Sequence, residues 1–235
     1  MDWGAHLDTA ALAAILGAVC GWFVPAVVGR LPEPENAAET KVTYAELAAS
    51  PRIGWWTALW SAGVAALIGA ALGWDWSLLF LLPLVPIGVA LGWVDMRTRL
   101  LPKLIVGPSY LLVIVLMVLV VAITGDQDDL WRAGLGWLIA GGLYWLLWRF
   151  TPGMGYGDVR LSGVLGLALA HLGWAEFAIG TYSGFLLGAL GWIPLRLLRL
   201  TRDRSFPFGP FMLVGAVIGI VWGADLAWHL AVGRG

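Results

Sequence analysis

Long apolar runs separated by short polar joints organise this chain. The runs cover residues 9–29, 53–74, 76–94, 104–124, 133–148, 161–173, 174–195 and 207–224. Most approach the roughly 20 residues that a helix needs to cross the hydrocarbon core of a bilayer. The pattern predicts an all-α, polytopic membrane helix bundle with about eight transmembrane helices. The sixth run is short for a crossing, so either its start is sunk below the membrane surface or the turn at His171-Leu172-Gly173 is not fully outside. The first run is preceded by Asp2 and Asp8 without Lys or Arg and is too long for a signal-peptide core, so it reads as a retained span. Between the first two runs, residues 30–52 contain Pro32, Pro34, Pro51 and four Glu, which predicts a loop with at most one short helix.

Composition narrows the class. Of the 235 residues, 60% are hydrophobic and only 12% charged, with mean hydropathy +0.84, whereas a soluble domain is about 25% charged. A soluble fold is excluded, lipid is the expected surrounding, and a net charge of -1 gives no basis for binding nucleic acid. The single cysteine, Cys20, excludes an internal disulfide framework and a cysteine zinc site, and its place in an apolar run makes it a packing residue. No metal or cofactor is expected. Recurrent Gly-Trp pairs near the run ends read as depth markers, since Trp anchors at the headgroup layer. Small residues at four-residue spacing, Gly180, Gly184 and Gly188 and then Gly215, Gly219 and Gly223, predict close helix packing.

The basic residues set an orientation, because Lys and Arg accumulate in cytoplasmic loops. Arg30, Lys41, Arg52, Arg97, Arg99, Lys103, Arg149, Arg160, Arg196, Arg199, Arg202 and Arg204 all fall in alternate joints, which leaves only Arg132 and Arg234 for the other side. Both termini are therefore expected outside, with the four basic loops in the cytoplasm.

Thirteen of the fifteen acids fall in loops or at outer span ends, where water solvates them. Asp95, ending the third run, and Asp158, opening the sixth, stand apart. The charge pattern puts both at the cytoplasmic boundary, so although 63 residues separate them in sequence they can meet. Two carboxyl groups close together in a partly dehydrated site cannot both ionise easily, and one keeps its proton. That is the chemistry of an aspartyl protease: one member takes a proton from water while the other polarises the scissile carbonyl. The simpler alternative pairs Asp95 with Arg97 or Arg99 at the surface and makes Asp158 a helix cap. Gly153, Gly155 and Gly157 around the second Asp are unnecessary for a cap, but they would permit close approach of an extended peptide.

These motifs resemble the type IV prepilin peptidases, membrane aspartyl proteases of the GxGD type. Gly155-Tyr156-Gly157-Asp158-Val159-Arg160-Leu161 is similar to that family's Gly-x-Gly-Asp-Val-Lys-Leu signature, with Arg160 in place of Lys. Asp95 with Pro102 seven residues later resembles its other Asp motif, and Phe206-Pro207-Phe208-Gly209-Pro210-Phe211 its Pro-Phe-Gly-Pro-Phe element. The resemblance covers about residues 76–226. It implies cleavage of the leader from type IV prepilin or pseudopilin precursors at the cytoplasmic face of the cell (inner) membrane. Asp95 and Asp158 would be catalytic, and Gly155, Gly157, Arg160, Pro102, Pro207, Gly209 and Pro210 would shape the site or bind substrate.

Residues 17–32 resemble the start of the family's longer members, with Trp22 and Pro25 where those have Ser and Asn. There, a loop with two cysteine pairs follows, in a region associated with N-methylation of the trimmed pilin. Here the loop has no cysteine, so the zinc site is absent and methyltransferase activity is doubtful. The expected division is a membrane region 1–75, with a shortened cytoplasmic loop (30–52) as the remnant of the methyltransferase-like part, and a peptidase domain 76–235. The loop acids Glu33, Glu35, Glu39, Glu46 and Asp203 are candidate partners for a basic leader. A proton- or cation-coupled transporter is the alternative from another class. It would be expected to carry acids at the bilayer midplane and two related halves, while a catalytically idle assembly protein would not need both Asp motifs.

Overall fold

The computed structural model describes residues 6–33, 42–151, 154–197 and 207–232, without the side chains of 192–197 and 232. Gly153, Phe206, Lys41, Arg199, Arg202, Arg204, Arg234, Asp2, Glu35, Glu39 and Asp203, all named above, lie outside the described residues. Among the described residues the chain is all-α: α1 (Leu7–Trp22), α2 (Val24–Val28), α3 (Tyr44–Ala48), α4 (Ile53–Leu72), α5 (Leu78–Thr98), α6 (Lys103–Thr124), α7 (Gln127–Phe150), α8 (Tyr156–Leu172), α9 (Trp174–Leu197) and α10 (Gly209–Val232). Five stretches are long and apolar enough to cross a membrane: Leu7–Val28, α4, α5, α6 and Gly209–Ala231.

The helices differ from the apolar runs where polar residues are helical. The run at 133–148 becomes α7 from Gln127, because Asp128 and Asp129 in the first turn complement the helix dipole instead of ending the helix. The run at 161–173 becomes α8 from Tyr156, with Asp158 inside its first turn. At 17 residues α8 spans only about 25 Å along its axis. The first run is interrupted at Phe23, because Pro25 cannot supply the backbone donor an unbroken helix would use there. Among the described residues of the 30–52 loop there is one short helix, α3.

The chain divides into two compact units, Met1–Ser109 and Tyr110–Gly235. In the first, α1 and α4 pack through small residues. Thr9, Ala13, Gly17 and Gly21 line one helix and Thr57, Ser61, Ala65 and Gly69 the other, all buried. A methyl group on Gly21 would lie 2.6 Å from the Thr57 carbonyl oxygen, so only glycine lets the backbones come this close. The opposite face of α4 turns Trp55, Trp56, Leu59 and Trp60 outward. Large apolar groups outside and small or polar ones inside are the arrangement that lipid favours. In the second unit the predicted glycine rows meet: Gly215 and Gly219 of α10 lie against the backbone of Gly180 and Gly184 in α9.

Candidate active site

Asp95 occupies the last turn of α5 and is 3% exposed. The helix stops at Arg99, whose left-handed backbone (φ 56°) lets its N–H donate to the Asp95 carbonyl at 2.8 Å. Buried Thr98 secures the turn: its hydroxyl donates to the Val94 carbonyl (2.9 Å) and accepts from the Leu100 N–H (3.3 Å). Pro102, also buried, then opens α6 by accepting from the N–H groups of Ile105 and Val106. The seven-residue spacing from Asp95 to Pro102 is thus a helix stop, a turn and a helix start. Asp95 is buried, whereas the flanking Arg97 and Arg99 are exposed.

The α5 end is covered from one side. Tyr44 and Leu47 of α3 are buried against Val24 and Val28 of α2 and against Ala90 and Val94 of α5, next to Asp95. Two acids fasten α3. Glu46 and Thr43 cap it reciprocally, Thr43 N–H to Glu46 at 2.9 Å and Glu46 N–H to Thr43 Oγ1 at 3.1 Å. The Glu33 carboxylate accepts from the N–H groups of Tyr44 (3.2 Å) and Ala45 (3.3 Å). Burial, with Glu33 nearby, holds the Tyr44 phenol above its usual pKa. Glu33 and Glu46, expected as partners for a basic leader, are therefore engaged in capping.

In the second unit Asp158 is the third residue of α8 and is 5% exposed. Its carboxylate turns back to accept the Gly155 N–H at 3.1 Å, and its own N–H donates to the Gly155 carbonyl at 3.1 Å. Gly155 is exposed and extended (φ -79°, ψ 147°), and among the described residues a methyl group there would meet Asp158 Oδ2 at 3.5 Å and the Gly157 nitrogen at 3.9 Å, both ordinary contacts. Neither backbone strain nor packing within the chain calls for glycine at 155. Gly157 lies half-buried in the first turn of α8. Arg160 is exposed, its guanidinium 4.8 Å from the Tyr156 ring, and its carbonyl accepts the Tyr110 hydroxyl at 2.7 Å.

Pro207, Gly209 and Pro210 form the start of α10, where the Phe208 carbonyl accepts from Phe211 and Met212. Phe208 itself packs close on Gly188, with its ring centroid 5.6 Å from Phe185 and 6.1 Å from Tyr144. Tyr144 of α7 is 2% exposed and lies within electrostatic reach of Asp158. Sequence reasoning did not single out Tyr144 or Phe208. A hydroxyl in the apolar α7 run was the available signal for the first, and its place inside the Pro-Phe-Gly-Pro-Phe element for the second.

The far end of α8 is held differently. Arg132 of α7 donates to the carbonyls of Ala170 (2.6 Å) and His171 (2.5 Å) and pairs with Asp129 (2.6 Å). It thereby satisfies acceptors that the helix end leaves without intrahelical donors. Among the described residues no group of three His, Cys, Asp or Glu side chains is placed to hold a metal ion.

Comparison with known proteins adds an independent finding. The type IV leader peptidase family matches residues 84–224, which include Asp95, Asp158 and the start of α10. Among curated proteins the chain is 29% identical to the prepilin leader peptidase/N-methyltransferase of Stutzerimonas stutzeri, over 71% of this chain and 54% of that protein. To the protein of the same name in Pseudomonas putida it is 32% identical, over 68% and 57%. For that of Aeromonas salmonicida the figures are 36% identity over 44% and 36%. The chain spans about half the length of the curated relatives it matches. No solved structure matches it.

Proposed function

Because the chain belongs to the type IV leader peptidase family, we propose that it is an aspartyl endopeptidase that cleaves the leader from prepilin or pseudopilin precursors, with Asp95 and Asp158 as the catalytic pair. The observation that carries this reading is the burial of both carboxyl groups, 3% and 5% exposed, at two helix ends inside the matched region. Ionisable side chains are costly within a membrane bundle and are kept there for function.

In the proposed reaction one carboxylate takes a proton from water, and the hydroxide oxygen forms a bond to the scissile carbonyl carbon. The other, protonated carboxyl group donates to the carbonyl oxygen as negative charge develops there. The tetrahedral species collapses when the carbon–nitrogen bond breaks and a proton passes to the leaving amine. Exposed Gly155 and half-buried Gly157 would leave room for an extended peptide beside Asp158. Arg160, Pro102, Pro207, Gly209 and Pro210 would shape the surrounding loops. The chain would cross the membrane about eight times, α7, α8 and α9 joining the five apolar stretches. The site would face the cytoplasm, a reading that the placement of twelve of the fourteen basic residues supports. The expected division into 1–75 and 76–235 stays part of the same reading. N-methyl transfer, named for the relatives, is left out of it, since the only cysteine is Cys20 in α1.

The test is cleavage of a prepilin precursor by the purified protein in detergent, with S-adenosylmethionine supplied as methyl donor, read by mass spectrometry of the new N-terminus. A trimmed product without an added methyl group is expected. An intact precursor would overturn the peptidase reading, and a methylated product would overturn the omission of methyl transfer.

A further inference from the structure

A small, partly open cavity with about 20 Å³ of space for water lies in the second unit, among α7, α8, α9 and α10. Three hydroxyl-bearing residues line it, Tyr144, Ser162 and Thr181, together with Gly166, Gly184 and Met212. Volume and chemistry both bear on what such a space can contain. A cavity needs roughly 10–15 Å³ of this measure to admit one water, which then needs two to four polar partners, whereas purely apolar cavities stay dry. Three hydroxyl-bearing residues in the lining can supply such partners. Ser162 donates its own proton to the Val159 carbonyl at 2.8 Å, which leaves its oxygen available as an acceptor.

The position matters as much as the lining. Ser162 is one helical turn beyond Asp158 on α8, on the same face, and both are buried. Tyr144, which lines the cavity, is also the phenol within electrostatic reach of Asp158. The cavity therefore lies one helical turn from Asp158 along α8, bordered by Ser162 and not by Gly155. A peptide approaching over Gly155 would cover the open side, and water for its hydrolysis would then have to come from within the bundle.

We infer that this cavity is a water site, built by the hydroxyls of Tyr144, Ser162 and Thr181, which delivers the hydrolytic water to Asp158 from inside the bundle. The delivery rests on Asp158 being catalytic as proposed above, whereas the water site does not. Synchrotron hydroxyl-radical footprinting tests the site in the unmodified protein, since radicals formed from a bound water oxidise side chains that bulk solvent does not reach. Met212 lines the cavity and is 4% exposed, while Met117 in α6 is 1% exposed and does not line it. Met212 should oxidise several-fold faster than Met117, and equal rates would overturn the water site. In Thr181→Val, which keeps the shape and removes one hydroxyl, kcat for precursor cleavage should fall at least about tenfold with KM unchanged. An unchanged kcat beside fast Met212 oxidation would overturn the delivery. Full cleavage by Asp158→Asn would instead overturn the catalytic reading without altering Met212 oxidation, so the two failures are distinguishable.

Discussion

Asp95 and Asp158 reach nearly the same burial by opposite constructions. Asp95 closes a helix: α5 ends within one turn of it, Thr98 and Arg99 fix the turn, and Tyr44 and Leu47 seal the adjoining Val94. Asp158 opens a helix, beside exposed Gly155 and one helical turn before Ser162, which lines the small cavity. One carboxyl group adjoins a packed cluster, and the other adjoins an exposed glycine that, in the proposed reading, leaves room for the peptide. Similar exposure thus conceals different tolerances, since substitutions around Asp95 should act through stability and substitutions around Asp158 through substrate binding or turnover.

The largest effect should ignore this difference. Asp95→Asn and Asp158→Asn should each slow precursor cleavage by at least about 10³-fold while the protein still accumulates in the membrane, because each removes a proton-transfer group. Normal processing by either variant would break the comparison at its root. Next comes Leu47→Ala, which empties a fully packed position beside Val94 and should cost about 3 kcal/mol, read as a lower midpoint in thermal unfolding in detergent. Gly155→Ala should leave that midpoint unchanged, because its methyl group meets only ordinary contacts. It should instead raise KM about tenfold, equivalent to about 1.4 kcal/mol, by obstructing the peptide. The smallest effect is expected from Glu33→Ala, which removes one acceptor from the start of α3 and should cost about 1 kcal/mol of stability with kcat/KM little changed. A Gly155→Ala protein that loses stability but not KM would invert the assignment of roles.

Much of this arrangement was legible in the sequence. Apolar runs marked the long helices because lipid-facing and core-facing positions are both apolar, and the two Asp stood out because the other acids had solvated places. Boundaries failed where chemistry is local. Asp128 and Asp129 extend α7 through the helix dipole, and Pro25 interrupts the first run within an unbroken apolar stretch. The clasp of Glu33 on α3 joins residues 11 and 12 apart, and the approach of Tyr144 to Phe208 joins residues from separate helices. Periodicity carries no record of such pairings. Arg132 read only as a stray outer charge, yet it bonds two carbonyls at the end of α8.

The proposed function needs Asp95 and Asp158 to act as one catalytic pair, and proximity tests that proposal more directly than activity. In a Cys20→Ser background, which removes the only native cysteine, Asp95→Cys and Asp158→Cys would be combined and treated in membranes with a short bis-methanethiosulfonate. Mass spectrometry of the digest should then recover peptides containing residues 95 and 158 joined within one chain. Modification of both cysteines singly, without any linked peptide, would contradict the account.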